Sequence, residues 1–280
     1  MTIPTFDGGV DAHIHVGRRE HFSDRLYSLI ERFNPDIAAV VERDGEIPPA
    51  VVESALDEAN LEYAVLLAHE TPCVDIEIPN EYVLDYAEGN DRFIPFVSVN
   101  PNGHFQPTTY LERLVERGAR GLKLYPSYQY FYPNDSAVYP LYATAQRLEI
   151  PVMFHTGTSV FEGSRTDFSR PMWMDDVACH FPDLTLIMAH GGRPAWCDEA
   201  VTLTQLHDNL YMDISGIPPH SLVDQYFPKL AKIAHKVLFG TDYPSTPAIS
   251  QNIAGIAEQG ISDEALQQMV VETPHRVLGI

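Results

Sequence analysis

Val10-Asp11-Ala12-His13-Ile14-His15 is an apolar run that closes on two histidines one residue apart. Side chains alternate across a β-strand with period two, so His13 and His15 leave the same face of one strand. Four more apolar runs end in a comparable way: 121–125 around Lys123, 152–155 at His155, 184–190 at His190 and 237–242 at Asp242. Such residues, scattered along the chain yet always at the same end of successive strands, imply parallel strands closed into a ring. The loop face of that ring then holds a metal.

The rest of the chain keeps the alternation that such a ring needs. Strand-like runs at 63–68, 92–100 and 210–214 complete a set of eight. Helical periodicity fills 50–60, 80–89, 107–118, 136–148, 171–181, 195–207 and 222–234, with closing helices over 262–278. The expected fold is α/β, a single (β/α)8 TIM barrel over 1–280 with its metal site at the C-terminal ends of the strands. The interval 16–49, with an amphipathic stretch at 22–33, reads as a loop insertion. An open doubly wound sheet is the alternative, but it gathers ligands at one switch point instead of around a ring. Two long connections, 125–140 and 156–170, are expected to shape a substrate pocket.

Charge and cysteine usage narrow the partners. The chain has 280 residues, of which 39 are acidic and 18 basic, for a formal charge of −21. That balance repels nucleic acid and anionic membranes, leaving a small-molecule substrate as the expected partner. No apolar run approaches the roughly 18 residues of a membrane span, and no secretory leader is visible at the start. Three widely separated cysteines, Cys73, Cys179 and Cys197, fit a reducing compartment, so a cytoplasmic location is expected.

Imidazoles and a carboxylate without cysteine describe an open catalytic site for a divalent ion, zinc first, with manganese, iron or nickel as alternatives. Lys123 has two readings: carboxylated, it bridges two metals; as a free amine, it holds an anionic substrate group. His190 either binds a second metal or polarises the substrate, and the Gly191-Gly192 pair after it is expected to open room for substrate. Asp242 is the candidate proton carrier. Arg18 and Arg193 are candidate carboxylate clamps, while His69, Tyr125, Tyr128 and Tyr132 are candidate pocket walls. Asp11 is a candidate to orient a first-strand histidine from behind.

The motifs Val-Asp-Ala-His-Ile-His, Gly-Leu-Lys-Leu-Tyr-Pro, Phe-His-Thr-Gly, Met-Ala-His-Gly-Gly-Arg-Pro and Phe-Gly-Thr-Asp-Tyr-Pro together resemble the amidohydrolase superfamily, in its amidohydrolase 2 branch. The resemblance runs from Asp11 to the terminal Pro-His-Arg-Val-Leu-Gly. It implies metal ligation by His13, His15, His155 and Asp242, with His190 at a second metal or at the substrate, and it implies a homodimer. The branch holds hydrolases, lactonases and non-oxidative decarboxylases of aromatic or muconate-like acids. Decarboxylases of that branch usually lack a lysine at the fourth-strand position, so Lys123 turns the expectation toward a metal-dependent hydrolase of a small amide, ester or lactone. A carboxy-lyase on the same scaffold is the alternative. A barrel nuclease fits less well, since it expects a glutamate in place of Lys123 and a basic groove, and a binding barrel without chemistry is opposed by the intact ligand set.

Overall fold

The computed structural model describes residues 5–280. Among them, eight parallel strands follow one another around one sheet in chain order: β1 (Val10–Ile14), β2 (Tyr63–Leu67), β3 (Phe93–Ser98), β4 (Gly121–Leu124), β5 (Val152–His155), β6 (Leu186–Ala189), β7 (Leu210–Asp213) and β8 (Val237–Leu238). The seam between last and first strand closes just beyond β8. There Ala12 N–H donates to Phe239 O (2.9 Å), Asp242 N–H to His13 O (2.9 Å) and His15 N–H to Tyr243 O (2.8 Å).

Between β1 and β2 lie α1 (Asp24–Phe33), α2 (Pro35–Asp44) and α3 (Pro49–Glu58), so the interval 16–49 carries two helices. The next gaps hold α4 (Asn80–Ala87), α5 (Pro107–Glu116), the single turn α6 (Pro126–Gln129), α7 (Tyr139–Arg147), α8 (Met174–His180) and α9 (Cys197–Leu206). After β8 come α10 (Ile249–Ala257), α11 (Asp263–Gln267) and α12 (Thr273–Leu278). Local chemistry explains several starts. Ser23 accepts the Leu26 N–H at the head of α1, and proline opens α2, α3, α5 and α6, where no backbone donor is needed.

Two apolar layers follow from strand alternation. The inner one, with Val10, Ala12, Val65, Leu67, Phe96, Met153 and Ile187, fills the barrel, and Val277 and Leu278 of α12 pack against it. The outer one joins strands to helices. Strict alternation from Val10 and Ala12 would send His13 and His15 outward. The pairing of β1 with β2 slips between Asp11 and Ile14, and this irregularity brings both histidines to the interior side.

One expected helix is absent. Over 222–234 the chain makes a wide turn at Leu222–Tyr226 and a tight turn at Leu230–Lys232 instead of a continuous helix. Pro228 between them removes a backbone donor and blocks helix propagation. No helix among the described residues is long and apolar enough to cross a membrane.

Candidate metal centre and substrate cavity

At the C-terminal mouth of the barrel, Asp242 Oδ1 lies 3.2 Å from His15 Nε2 and 3.6 Å from His13 Nε2. The three residues offer one ligand atom each within 4.8 Å of one another. Asp242 sits just past β8 with φ +70°, a left-handed conformation that costs an aspartate on the order of 1 kcal/mol. The strain is held by the bond from Asp242 N–H to His13 O. Burial alone would raise the Asp242 carboxyl; the hydrogen bond from His15, the facing ring of His13 and the Arg193 guanidinium outweigh it and hold the group below the usual carboxylate range.

Behind this trio lies a carboxylate that the strand pattern did not single out. Asp213, at the end of β7 and fully buried, accepts from His13 Nδ1 (2.8 Å), His190 N–H (2.9 Å), Ser215 N–H (2.9 Å) and Ser215 Oγ (2.5 Å). The Ser215 proton is spent on Asp213, so Nδ1 of His13 is the protonated nitrogen and Nε2 keeps a lone pair directed at Asp242. His190 follows the same logic, with Nδ1 donating to Ser215 O (3.1 Å). Burial opposes ionisation of Asp213, but His13 and Lys123 hold its carboxyl at about 2. Burial, reinforced by Lys123, lowers His13 to about 4, and burial also drives His69, His155 and His190 well below the usual histidine range. Neutral imidazoles are the form that presents a lone pair to a cation.

Asp11 does not play the expected role. Its carboxylate ties the seam strands together, accepting from His13 N–H (3.0 Å), Thr241 N–H (3.1 Å) and Thr241 Oγ1 (2.6 Å), with no bond to a histidine ring.

A cavity of about 920 Å³ opens over the trio. His69, Tyr125, His155, His190 and Arg193 line it. His69 packs 4.7 Å from the His15 ring and 4.1 Å from Tyr125, with neither nitrogen hydrogen-bonded. Tyr125 donates to Ala68 O (2.9 Å). His155 stands outside the three-residue group: its Nε2 lies 3.2 Å from Tyr128 Oη, and its ring is 4.8 Å from His190. Arg193 donates from Nε to Gly216 O (2.7 Å) and brings Nη2 to 3.9 Å from Asp242 Oδ2. Glycine is required at 216, where φ is +64° and a Cβ would stand 2.4 Å from Arg193 Nη2.

Four other expectations meet a different arrangement. Arg18 stays outside the cavity, its guanidinium 3.5 Å from Glu46 and over the Tyr82 ring. Tyr132 is likewise away from it, donating to Asp167 (2.7 Å). Gly191 and Gly192 give room to packing, not to substrate, since a Cβ there would strike Phe227 and Pro171. Lys123 is fully buried, paired in register with Met153 two residues before His155, does not line the cavity, and its Nζ has no hydrogen-bond partner. Burial lowers that amine to about 8, against the pull of Asp213 and Asp242.

Residues 10–280 match the family model of the amidohydrolases, in the amidohydrolase 2 branch. The chain belongs to this family. A search of curated proteins finds no match. Among solved structures, this amidohydrolase is similar to an uncharacterized TIM-barrel protein from Bordetella bronchiseptica, with TM-score 0.78, 22% identity, and coverage of 97% of this chain and 98% of the other. It is also similar to a probable 2-pyrone-4,6-dicarboxylic acid hydrolase from Acinetobacter baumannii, with TM-score 0.70, 16% identity and coverage of 98% and 100%. A third is 5-carboxyvanillate decarboxylase from Novosphingobium aromaticivorans with bound manganese, with TM-score 0.69, 13% identity and coverage of 99% of each chain. At these identities the likeness is one of fold. The donor set of the amidohydrolase described here, two imidazoles and a carboxylate with an unpartnered His15 Nδ1 and a buried second row, fits a divalent cation.

Proposed function

We propose that the chain is a metal-dependent hydrolase of a small amide, ester or lactone that carries a carboxylate. The observation that carries this reading is the Asp242 carboxyl group at the meeting point of His13 and His15, lining a cavity that also holds Arg193. A divalent cation held by His13, His15 and Asp242, with His155 as a further donor, would supply Lewis acidity toward a substrate oxygen or a water. Asp242 accepts the proton of the attacking water on Oδ2 and returns it to the leaving group. His190, with Nδ1 committed to Ser215 O, directs a bare Nε2 to accept a hydrogen bond from the water or substrate. Arg193 pairs with the substrate carboxylate through Nη2, the edge not spent on Gly216 O.

A carboxy-lyase is the second reading, favoured by the several decarboxylases of aromatic acids among the structurally similar proteins. It asks His190 or Asp242 to deliver a proton to carbon. Turnover of a panel of carboxylated lactones, esters and hydroxybenzoates in H₂¹⁸O separates the two. Hydrolysis places ¹⁸O in the organic product; release of CO₂ from a hydroxybenzoate without that label replaces the first reading with the second. Turnover that survives complete chelation overturns both.

A further inference from the structure

The cavity is far larger than its reacting end needs. His13, His15, Asp242 and Arg193 occupy one end, and a wall of apolar side chains continues away from them toward solvent. Leu26, Leu29 and Phe33 come from one face of α1, at spacings of three and four residues. Ala254 of α10, with Val160 and Ile217 from the loops after β5 and β7, lines the same cavity. Phe33 and Val160 are 36% and 50% exposed, a solvation cost that an apolar ligand would remove. Arg32, Glu258 and Gln251 add polar groups to the same lining.

This wall is built, not slack. Asn34, at the junction of α1 and α2 and buried, donates from Nδ2 to Pro244 O and Thr246 O, both at 2.7 Å. Both acceptors belong to the loop that carries Asp242, so the helix forming the wall is pinned to the segment presenting the carboxylate. Size points the same way. Pockets of about 300–1,000 Å³ enclose most of the surface of a drug-sized ligand, and about 920 Å³ is near the upper end. A single-ring acid would leave the α1 and α10 walls in water. The chain's net charge of −21 gives an anionic substrate no long-range attraction, so its affinity must come from short-range contact.

We propose that the substrate is an amphipathic organic acid, with its acidic head at Arg193 and the metal trio and an apolar body about one aromatic ring or more beyond it, seated between α1 and α10. This rests on the reading that the trio binds the reacting end, but it concerns binding and not the bond broken. The test is calorimetric titration of metal-loaded protein with two unreactive acids, benzoate and biphenyl-4-carboxylate. The second ring is expected to tighten binding about thirtyfold. Ala254→Trp, which fills the space between the helices, is expected to bring that ratio below threefold. Phe33→Ala, at an exposed position where folding is not at stake, should reduce it about fivefold. Equal affinities in the unaltered protein, no measurable binding of either acid, or a ratio unmoved by both substitutions overturns the proposal. Failure of the turnover panel with the ratio intact would count against the proposed chemistry alone.

Discussion

Asp213→Asn tests the whole second row behind the candidate metal trio. The carboxylate accepts four hydrogen bonds, and three of them, from His190 N–H, Ser215 N–H and Ser215 Oγ, fall on Oδ1, which an amide oxygen replaces. The fourth, from His13 Nδ1 at 2.8 Å to Oδ2, meets an NH₂ donor instead. His13 must then give up its Nδ1 proton and carry it on Nε2, toward Asp242, where a ligand lone pair is needed. Loss of such an orienting partner weakens metal affinity about 10–100-fold, or roughly 1.4–2.7 kcal/mol. The fold keeps that fourth bond in the reversed direction, from the Asn NH₂ to Nδ1, and loses only its charge assistance, about 1 kcal/mol. There is also a signature in acid. Folded Asp213 titrates at about 2 against an ordinary 3.8, so its stabilisation is complete above pH 4 and is lost as the pH falls toward 2. Removing the carboxylate should therefore flatten that part of the acid limb. Competition against a chromogenic chelator at pH 7.5 gives the affinity, and thermal melts in chelator from pH 2 to 7 give the rest. An Asn variant that binds metal as tightly as the unaltered protein would refute the tautomer argument.

Lys123→Met removes a buried amine without a hydrogen-bond partner while keeping the volume, and is expected to stabilise the metal-free protein by about 1–3 kcal/mol; a lowered melting temperature in chelator would show that Lys123 is paired or carboxylated. Gly216→Ala puts a methyl 2.4 Å from Arg193 Nη2 at φ +64°, so KM for a carboxylate substrate should rise about tenfold or more while the fold loses about 1 kcal/mol; an unchanged KM would remove Arg193 from substrate binding. Burial raises the Cys197 thiol to about 11, which leaves it protonated at pH 8, so iodoacetamide should label it about a hundredfold more slowly than a free thiol of ordinary pKa, with the rate climbing tenfold per pH unit up to that value. Mass spectrometry of the labelled peptides at pH 7, 8 and 9 checks this, and equal labelling of Cys197 and exposed Cys179 would contradict it.

The barrel was legible because its signal is repeated: eight apolar runs, each followed by helical spacing, survive the loss of any single element. The break at 222–234 did not spoil it, although Pro228 stood in plain view and should have counted against a helix there. The grouping of His13, His15 and Asp242, candidate ligands together with His155, was legible for a subtler reason. Period two correctly joins His13 to His15, but the slip in β1 between Asp11 and Ile14 is what turns them both inward, away from the face on which Asp11 lies. A one-residue irregularity leaves no mark in composition, so the same alternation that paired the histidines correctly misassigned Asp11.

What remained hidden is whatever depends on partners distant in the chain. Asp213 ends an apolar run just as Asp242 does, yet its meaning comes from His13, 200 residues earlier. Arg18 sits three residues beyond a candidate ligand histidine, and proximity in sequence made it a candidate clamp; the backbone bridge from Arg18 to Glu46 turns it outward, while Arg193 reaches Asp242 by folding over Gly216. Lys123 shows the limit most clearly. Strand alternation placed it inward, and inward it is, but depth along the barrel axis decides whether an inward side chain meets substrate or lies beneath it. Alternation supplies a face and says nothing of height. Facing the axis was therefore legible in the sequence, whereas level within the barrel came only with the coordinates.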